Sequence, residues 1–223
     1  MLNREALKSY EIYADVFSYP ESSLIEKIEK VQEYLTIKYP EASKIFNNFC
    51  DFSKIINKKS WEEIYTRSFD VQALTTLDLG YVLFGDDYKR GELLVNLSKE
   101  HKKAGNECGN ELADHLPNVI KLMPKLENEE LLEDIISYIL YPALKKIESE
   151  FDLIHIEKKR NIYQKHHKTL IDHDKSYSLI YIYTIKTLLL MLHNDFPELT
   201  VDRIFDNNYT HQITKELSIE KLR

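Results

Sequence analysis

The side chains best suited to chemistry gather around the glycines of this chain. All five glycines of the 223 residues lie between positions 80 and 109. Glycine is needed where the backbone takes a positive φ or where another group approaches closely. The polar and aromatic residues in and beside this stretch are Asp70, Asp78, Asp86, Asp87, Arg90, Glu111, Asp114 and His115, interleaved with Tyr65, Phe69, Tyr81 and Tyr88. This part of the chain is therefore where a function is sought.

Two interpretations of this polar and aromatic set are open. The first is structural, because each carboxylate on its own is explained by helix capping or by surface charge. The second is functional, because helix ends that carry several carboxylates beside aromatic rings can pair with arginines and cover the apolar stripe of a peptide. Taken together, the set favours a peptide-binding surface.

Catalytic and metal-binding patterns have little support. The sequence contains no nucleophile elbow, phosphate-binding loop or dinucleotide fingerprint. His166 and His167 are adjacent, so on a helix they point about 100° apart and do not easily join one zinc site. The pair His173-Asp174 resembles that of metal-dependent phosphohydrolases but lacks a convincing framework around it. We expect a protein that is not an enzyme and that binds neither a metal nor a cofactor.

The elements that must position these residues are predicted to be helices throughout. Abundant Leu, Ile, Glu and Lys favour helix over sheet, and apolar residues recur at helical spacing. Ser60 is a plausible N-cap with Glu63 in a capping box, and Asp114 a plausible N-cap for the short helix that contains Pro117. The predicted helices cover 7–17, from Pro20 to before Pro40, 45–56, 60–69, 74–84, 87–104, a short segment after Asp114, 131–151 with a kink or restart at Pro142, 156–171, 176–194 and 198–205.

A single all-α domain over residues 1–223 is the simplest organisation, since no Gly/Ser/Pro-rich linker divides the chain. The long apolar run from Leu179 to Leu192 is interrupted by Lys186 and is too short to span a bilayer. It predicts a buried helix and no stable membrane insertion. A charge at Leu190 is then expected to destabilise the protein.

Charge and cysteine usage restrict the partners and the compartment. The formal net charge is −7, whereas a protein that tracks phosphates should be basic, so nucleic acid is not an expected partner. An acidic surface suits a basic partner. Two distant cysteines and an N-terminus without a signal-peptide core predict a cytoplasmic protein.

Four motifs in order carry a resemblance to a known family. They are EIYTRSFD at 63–70, LDLGY at 77–81, GDDYKRG at 85–91 and ELADHLP at 111–117. With these motifs the chain resembles the nitrate reductase delta-subunit assembly chaperones of the NarJ type, within the NarJ/TorD/DmsD group. The resemblance is strongest over 61–126 and extends more weakly across 1–174. Where the family commonly has proline before the aspartate of the last motif, this chain has Ala113, a change that leaves Asp114 in place.

The resemblance implies an all-helical cytoplasmic chaperone of the TorD/NarJ type that is not an enzyme. Such a protein binds the N-terminal or twin-arginine-like segment of an apo molybdoenzyme catalytic subunit of the dimethyl sulfoxide reductase superfamily while the molybdenum cofactor is inserted. The expected client site is the polar and aromatic set defined above, and the protein is expected to be a monomer or homodimer. Alternatives are a helical metal-dependent phosphohydrolase, which requires bound metal, and a generic helical adaptor, which requires an unrelated partner.

Overall fold

The computed structural model describes residues 4–71, 73–151 and 179–200. Every regular element in these ranges is helical, which confirms the all-α prediction. Asp78 and His115 form an isolated antiparallel bridge between two loop segments. The α-helices are α1 (Arg4–Ala14), α2 (Leu24–Lys38), α3 (Pro40–Ile55), α4 (Lys58–Phe69), α5 (Leu79–Phe84), α6 (Tyr88–Lys103), α7 (Leu116–Leu122), α8 (Glu129–Asp134), α9 (Tyr141–Glu150) and α10 (Tyr181–Asp195).

The chain divides into two compact units, each assembled from separated segments. Unit 1 comprises Met1–Phe17, Leu77–Ala143 and Leu192–Arg223, and unit 2 comprises Ser18–Thr76 and Leu144–Met191. A single domain over 1–223 stays a prediction. The candidate site is described within unit 1.

Unit 1 is built around two sets of packed helices. Helix α1 lies against α7 and the 3-10 turn Met123–Lys125 that follows it, and α5 lies against α6 and a π-helical segment, Ile135–Leu140. Apolar residues at helical spacing on α1 are fully buried, as the sequence predicts. The hydroxyl of Tyr10 donates a 2.8 Å hydrogen bond to Asp195, and Lys121 forms a 2.8 Å ion pair with Asp15. These bonds join parts of unit 1 that lie far apart in sequence.

Unit 2 has an aromatic core centred on Tyr181. The Tyr181 side chain is fully buried, and its hydroxyl accepts a 3.0 Å hydrogen bond from the indole nitrogen of Trp61. Ring centroids of Phe49 and Phe69 lie 5.2 and 4.9 Å from that of Tyr181. A buried tyrosine hydroxyl or tryptophan N–H needs a hydrogen-bond partner. Here the Trp61 N–H and the Tyr181 hydroxyl are partners of one another.

Several helix boundaries differ from those expected. Helix α4 begins at Lys58 because Asn57, not Ser60, is its N-cap and accepts a 3.0 Å hydrogen bond from the Ser60 backbone. Helix α2 begins at Leu24 and not at Pro20. Helix α5 covers only Leu79–Phe84, since residues 74–78 are not helical. Helix α6, by contrast, starts after Asp87 and ends before Gly105, as predicted.

The helix around Pro142 also follows expectation, with a specific geometry. The π-helical segment Ile135–Leu140 separates α8 from α9, so the helical geometry changes just before the proline. Pro142 lies in the first turn of α9, where a missing N–H is tolerated. The predicted helix at 156–171 lies outside the described residues, as does most of 198–205.

Helix α10 contains most of the apolar run and is largely buried. Leu188, Met191 and Leu192 are 0% exposed, whereas Lys186 is exposed and Leu190 is half-buried. Leu190 is therefore a weaker test of burial than the sequence suggested. In the part of the chain that is described, no helix is long and apolar enough to cross a membrane.

We expect Leu188→Asp to lower the free energy of unfolding by several kcal/mol, because it places an unpaired carboxylate in the apolar interior of unit 2. Leu190→Asp is the matched control and should cost much less, since its carboxylate can reach solvent. Urea denaturation followed by circular dichroism measures both. Equal losses in the two variants would contradict the burial pattern of α10.

Candidate functional site

Residues from three of the four sequence motifs meet in one ionic network in unit 1. The guanidinium of Arg90 bonds to Asp78 through Nη2 at 3.0 Å and to Asp114 through Nε at 3.3 Å. The second Asp78 oxygen lies 3.1 Å from Nδ1 of His115. Arg90 also lies over the Tyr81 ring, with its Cζ 5.2 Å from the ring centroid. One arginine thus holds two carboxylates and an aromatic ring together.

The backbone brings these side chains together. The Leu79 amide donates to the Asp114 carbonyl at 2.9 Å, and the Leu116 amide donates to the Leu77 carbonyl at 2.8 Å. This pair of bonds makes the bridge between Asp78 and His115. The segments that precede α5 and α7 are therefore held side by side, although about 35 residues separate them.

Asp114 caps a helix that is remote in sequence. It was expected to cap the helix containing Pro117, but the N-cap of α7 is His115. Asp114 Oδ2 instead accepts a 3.1 Å hydrogen bond from the Gly80 amide in the first turn of α5. That end of α5 needs a partner because the side chain of its own N-cap, Asp78, makes no capping bond and binds His115 and Arg90.

Gly80 is glycine because the capping carboxylate lies so close. A Cβ added there would lie 2.7 Å from Asp114 Oδ2, 3.1 Å from Leu93 Cδ2 and 3.2 Å from Arg90 Cγ. Its φ is not positive, unlike those of Gly85, Gly105 and Gly109. Close approach, and not backbone conformation, excludes larger residues at position 80.

The two carboxyl groups differ in their electrostatics. The hydrogen bond from His115, with the charges of His115 and Arg90, lowers the pKa of Asp78 below its usual value. Burial, together with the charge of Asp78, raises the pKa of Asp114 despite its bond to Arg90. Asp114 is 0% exposed, and its Oδ1 accepts no hydrogen bond from the described residues. Asp114 is thus committed to internal contacts and is not a surface charge.

A second network fixes the loop between α6 and α7. His101 is buried, its Nε2 lies 2.9 Å from the Ala113 carbonyl, and its Nδ1 lies 2.9 Å from the Asn106 amide nitrogen. The carbonyl can only accept, so Nε2 carries the proton and Nδ1 accepts from Asn106. Lys125 donates to Asn106 Oδ1 at 2.6 Å, and Asn118 Nδ2 donates to the carbonyls of Cys108 and Leu112.

Next to these networks, α5 and α6 present an exposed surface, which Tyr81 shares with the Arg90 network. Tyr81 is 44% exposed, Tyr88 63% and Val95 53%. Asp86 and Glu92 are exposed between them, and the described residues offer neither an ion-pair partner. We call Tyr81, Asp86, Tyr88, Gly91, Glu92, Val95 and Ser98 the α5–α6 surface. It combines apolar side chains with the carboxylates of Asp86 and Glu92, and the exposed Lys99 borders it one helical turn beyond Val95.

The remaining residues of the expected client site lie elsewhere or have local roles. Phe69 is buried against Tyr181 in unit 2, and Tyr65 is half-buried in the same aromatic cluster, so Phe69 is not offered to a peptide. Asp70 is exposed at the C-terminus of α4. Asp87 is the N-cap of α6 and accepts from the Lys89 amide at 2.9 Å.

Glu111 lies at the edge of the ionic network. Its carboxylate is largely exposed and lies 3.9 Å from His115 Nδ1. Four residues of the second network were not among those predicted from the sequence: His101, Asn106, Asn118 and Lys125. Of these, His101 carried a signal, because it continues the spacing of Leu93 and Leu97 on the inner face of α6.

No group of three or more His, Cys, Asp or Glu side chains within the described ranges could hold a metal ion. His166, His167 and the pair His173-Asp174 lie outside those ranges. The chain matches no protein-family model and no curated protein.

We expect Gly80→Ala to lower the free energy of unfolding by about 1–3 kcal/mol, because the new methyl group displaces the buried Asp114 carboxylate. Gly91→Ala is the matched control: a Cβ there meets nothing within 4 Å. It should stabilise the protein by up to about 1 kcal/mol, because alanine is the better helix former. Chemical denaturation distinguishes them. Stabilisation by both substitutions would contradict the close approach at Gly80.

A pH effect follows from His101. Burial lowers the pKa of its imidazole below 6.5, so the folded protein binds fewer protons than the unfolded chain as the pH falls below that value. The stability that comes from keeping this imidazole neutral is fully present at pH values above 6.5, the pKa of the unfolded chain. It is lost as the pH falls toward the lower pKa of the folded state. We expect urea midpoints to drop between pH 7.5 and 5.5, and to drop less in His101→Gln, which does not titrate. The same drop in parent and variant would exclude His101 as the cause.

Proposed function

We propose that this protein is a dedicated chaperone for the apo catalytic subunit of a molybdoenzyme of the dimethyl sulfoxide reductase superfamily. In this proposal it acts in the cytoplasm, binds the basic N-terminal or twin-arginine-like segment of its client, and holds it while the molybdenum cofactor is inserted. It performs no catalysis and carries no cofactor of its own.

One observation carries the proposal. Three of the motifs on which the family resemblance rests contribute Asp78, Arg90, Asp114 and His115, and these residues form one bonded network. Separate sequence matches that arose by chance have no reason to converge in space. The network also has a definite consequence, because it fixes α5 against α6 and against the start of α7.

The α5–α6 surface supports the binding role. Most of the binding energy in peptide recognition comes from apolar burial, and charged pairs at the edge fix register. Tyr88 and Val95 supply exposed apolar area, and Asp86 and Glu92 supply acceptors for arginine. Asp114 is not part of this contact because it is fully buried, and Asp78 is left out because its two oxygens already bond to Arg90 and His115. The client site is therefore smaller than the set of residues first expected.

The test is affinity capture from the native host, followed by mass spectrometry. We expect the catalytic subunit of a molybdoenzyme, lacking its molybdenum cofactor, to co-purify with the tagged protein. The variant Asp86→Asn/Glu92→Gln should bind the client's N-terminal peptide about two- to tenfold more weakly in calorimetry, since exposed ion pairs contribute little each.

The matched control is Glu26→Gln/Glu29→Gln, which removes two charges from the exposed face of α2 in unit 2 and should leave peptide affinity unchanged. A partner unrelated to molybdoenzymes would contradict the proposal in favour of a generic adaptor. Stoichiometric metal in the purified protein, with phosphatase turnover, would contradict it in favour of a phosphohydrolase.

A further inference from the structure

Tyr81 is an exposed tyrosine whose ring lies against an arginine. Its side chain belongs to the α5–α6 surface, and Cζ of Arg90 lies 5.2 Å from its ring centroid. A guanidinium at this distance is attracted by the negative face of the ring. Arg90 therefore restricts the rotamers of Tyr81, which an exposed tyrosine would otherwise sample freely.

Arg90 can support the ring because its own side chain is fixed. Its guanidinium bonds to Asp78 through Nη2 and to Asp114 through Nε, and the side chain is only 19% exposed. Its Cγ would lie 3.2 Å from a Cβ added at Gly80, so the stem of Arg90 lies against the first turn of α5. A planar guanidinium can bond to two carboxylates and stack on a ring at the same time, which an ammonium group cannot do.

Tyr88 lies on the same surface without such a support. It is exposed, and the described residues offer its ring neither a cation nor another aromatic ring. A side chain that becomes ordered on binding costs free energy, and a side chain that is already ordered avoids that cost. Tyr81 is therefore the better prepared of these two tyrosines for a contact with a partner.

Resting on the proposed function, we infer that Arg90 is a positioning residue for client recognition. It holds the Tyr81 ring in the orientation in which that ring contacts an apolar side chain of the client's N-terminal segment. Arg90 itself does not touch the client and acts through Tyr81. A cation–π contact at an exposed site is weak, so its loss should lower the affinity for the client about two- to fivefold.

The experiment is calorimetry of the N-terminal peptide of the molybdoenzyme catalytic subunit encoded by the same host, titrated into the full-length chain. Arg90→Lys keeps the positive charge beside Asp114 but loses the planar contact with the ring, and should weaken binding about two- to fivefold. Added to Tyr81→Leu, which has no ring face, Arg90→Lys should cause no further loss. Added to Tyr81→Phe, which keeps the ring face, it should still weaken binding.

The matched control uses the unsupported tyrosine. Added to Tyr88→Leu, Arg90→Lys should weaken binding by the same factor as in the parent, because Tyr88 is not coupled to Arg90. Melting curves of all variants set a titration temperature at which each is folded.

A second measurement needs no client. Nuclear magnetic resonance of the free protein with ¹³C-labelled tyrosines reports the rotamer populations of each side chain. Tyr81 should occupy one dominant rotamer in the parent and several in Arg90→Lys, whereas Tyr88 should be averaged in both. Averaging of Tyr81 in the parent would overturn the inference.

The outcomes separate this inference from the proposed function. If Arg90→Lys weakens peptide binding equally with tyrosine and with leucine at position 81, Arg90 acts through the fold at large; the inference is then wrong and the chaperone function stands. If Arg90→Lys does not fold, equal affinities of Tyr81→Leu and Tyr81→Phe would contradict the inference. If the parent does not bind the peptide, the proposed function fails and the role in recognition fails with it.

Discussion

The arrangement of unit 1 depends on the burial of one carboxylate, that of Asp114. A buried charge is costly unless it is paired and hydrogen-bonded. One oxygen of Asp114, Oδ2, accepts from the Gly80 amide and the Arg90 guanidinium, whereas Oδ1 accepts no hydrogen bond from the described residues. Those bonds require that the first turn of α5, the first turn of α6 and the segment before α7 meet at one point. They also require glycine at position 80, because any Cβ would occupy the space of the carboxylate. Other contacts among these helices build on that point.

Local signals in the sequence predict the bounds of some helices, whereas contacts between distant residues determine which side chains form the site. The bounds of α6 were predicted closely because the signals at its C-terminus are local: Lys102 and Lys103 lie in its last turn, and Gly105 follows just beyond it. The role of Asp114 was predicted wrongly, because its capping partner lies 34 residues away. Tyr65 and Phe69 were placed with the polar set by proximity in sequence, but apolar burial drew them into the aromatic core of unit 2.

The glycines between positions 80 and 109 are required for different physical reasons. Gly85, Gly105 and Gly109 have φ near +60°, a conformation that costs other residues free energy. Gly80 has an ordinary φ but no room for a side chain. Both reasons concern folding, and the sequence alone could not distinguish them. Gly91 has neither reason among the described residues, since its φ is not positive and a Cβ there would meet nothing within 4 Å.

The acidic residues of the same stretch also differ from one another, because some are bonded within the fold and others are exposed. Asp114 is fully buried and cannot reach an arginine of a partner, and each oxygen of Asp78 already bonds within the network, one to Arg90 and the other to His115. Asp87 is occupied at the N-terminus of α6. On α6 and the turn before it, Asp86 and Glu92 are exposed, and the described residues offer neither an ion-pair partner. The inner network therefore acts on this surface indirectly, by holding α5 and α6 so that Tyr81, Tyr88 and Val95 remain exposed beside one another in sequence. In the proposed function it is this surface, and not the network, that contacts the client.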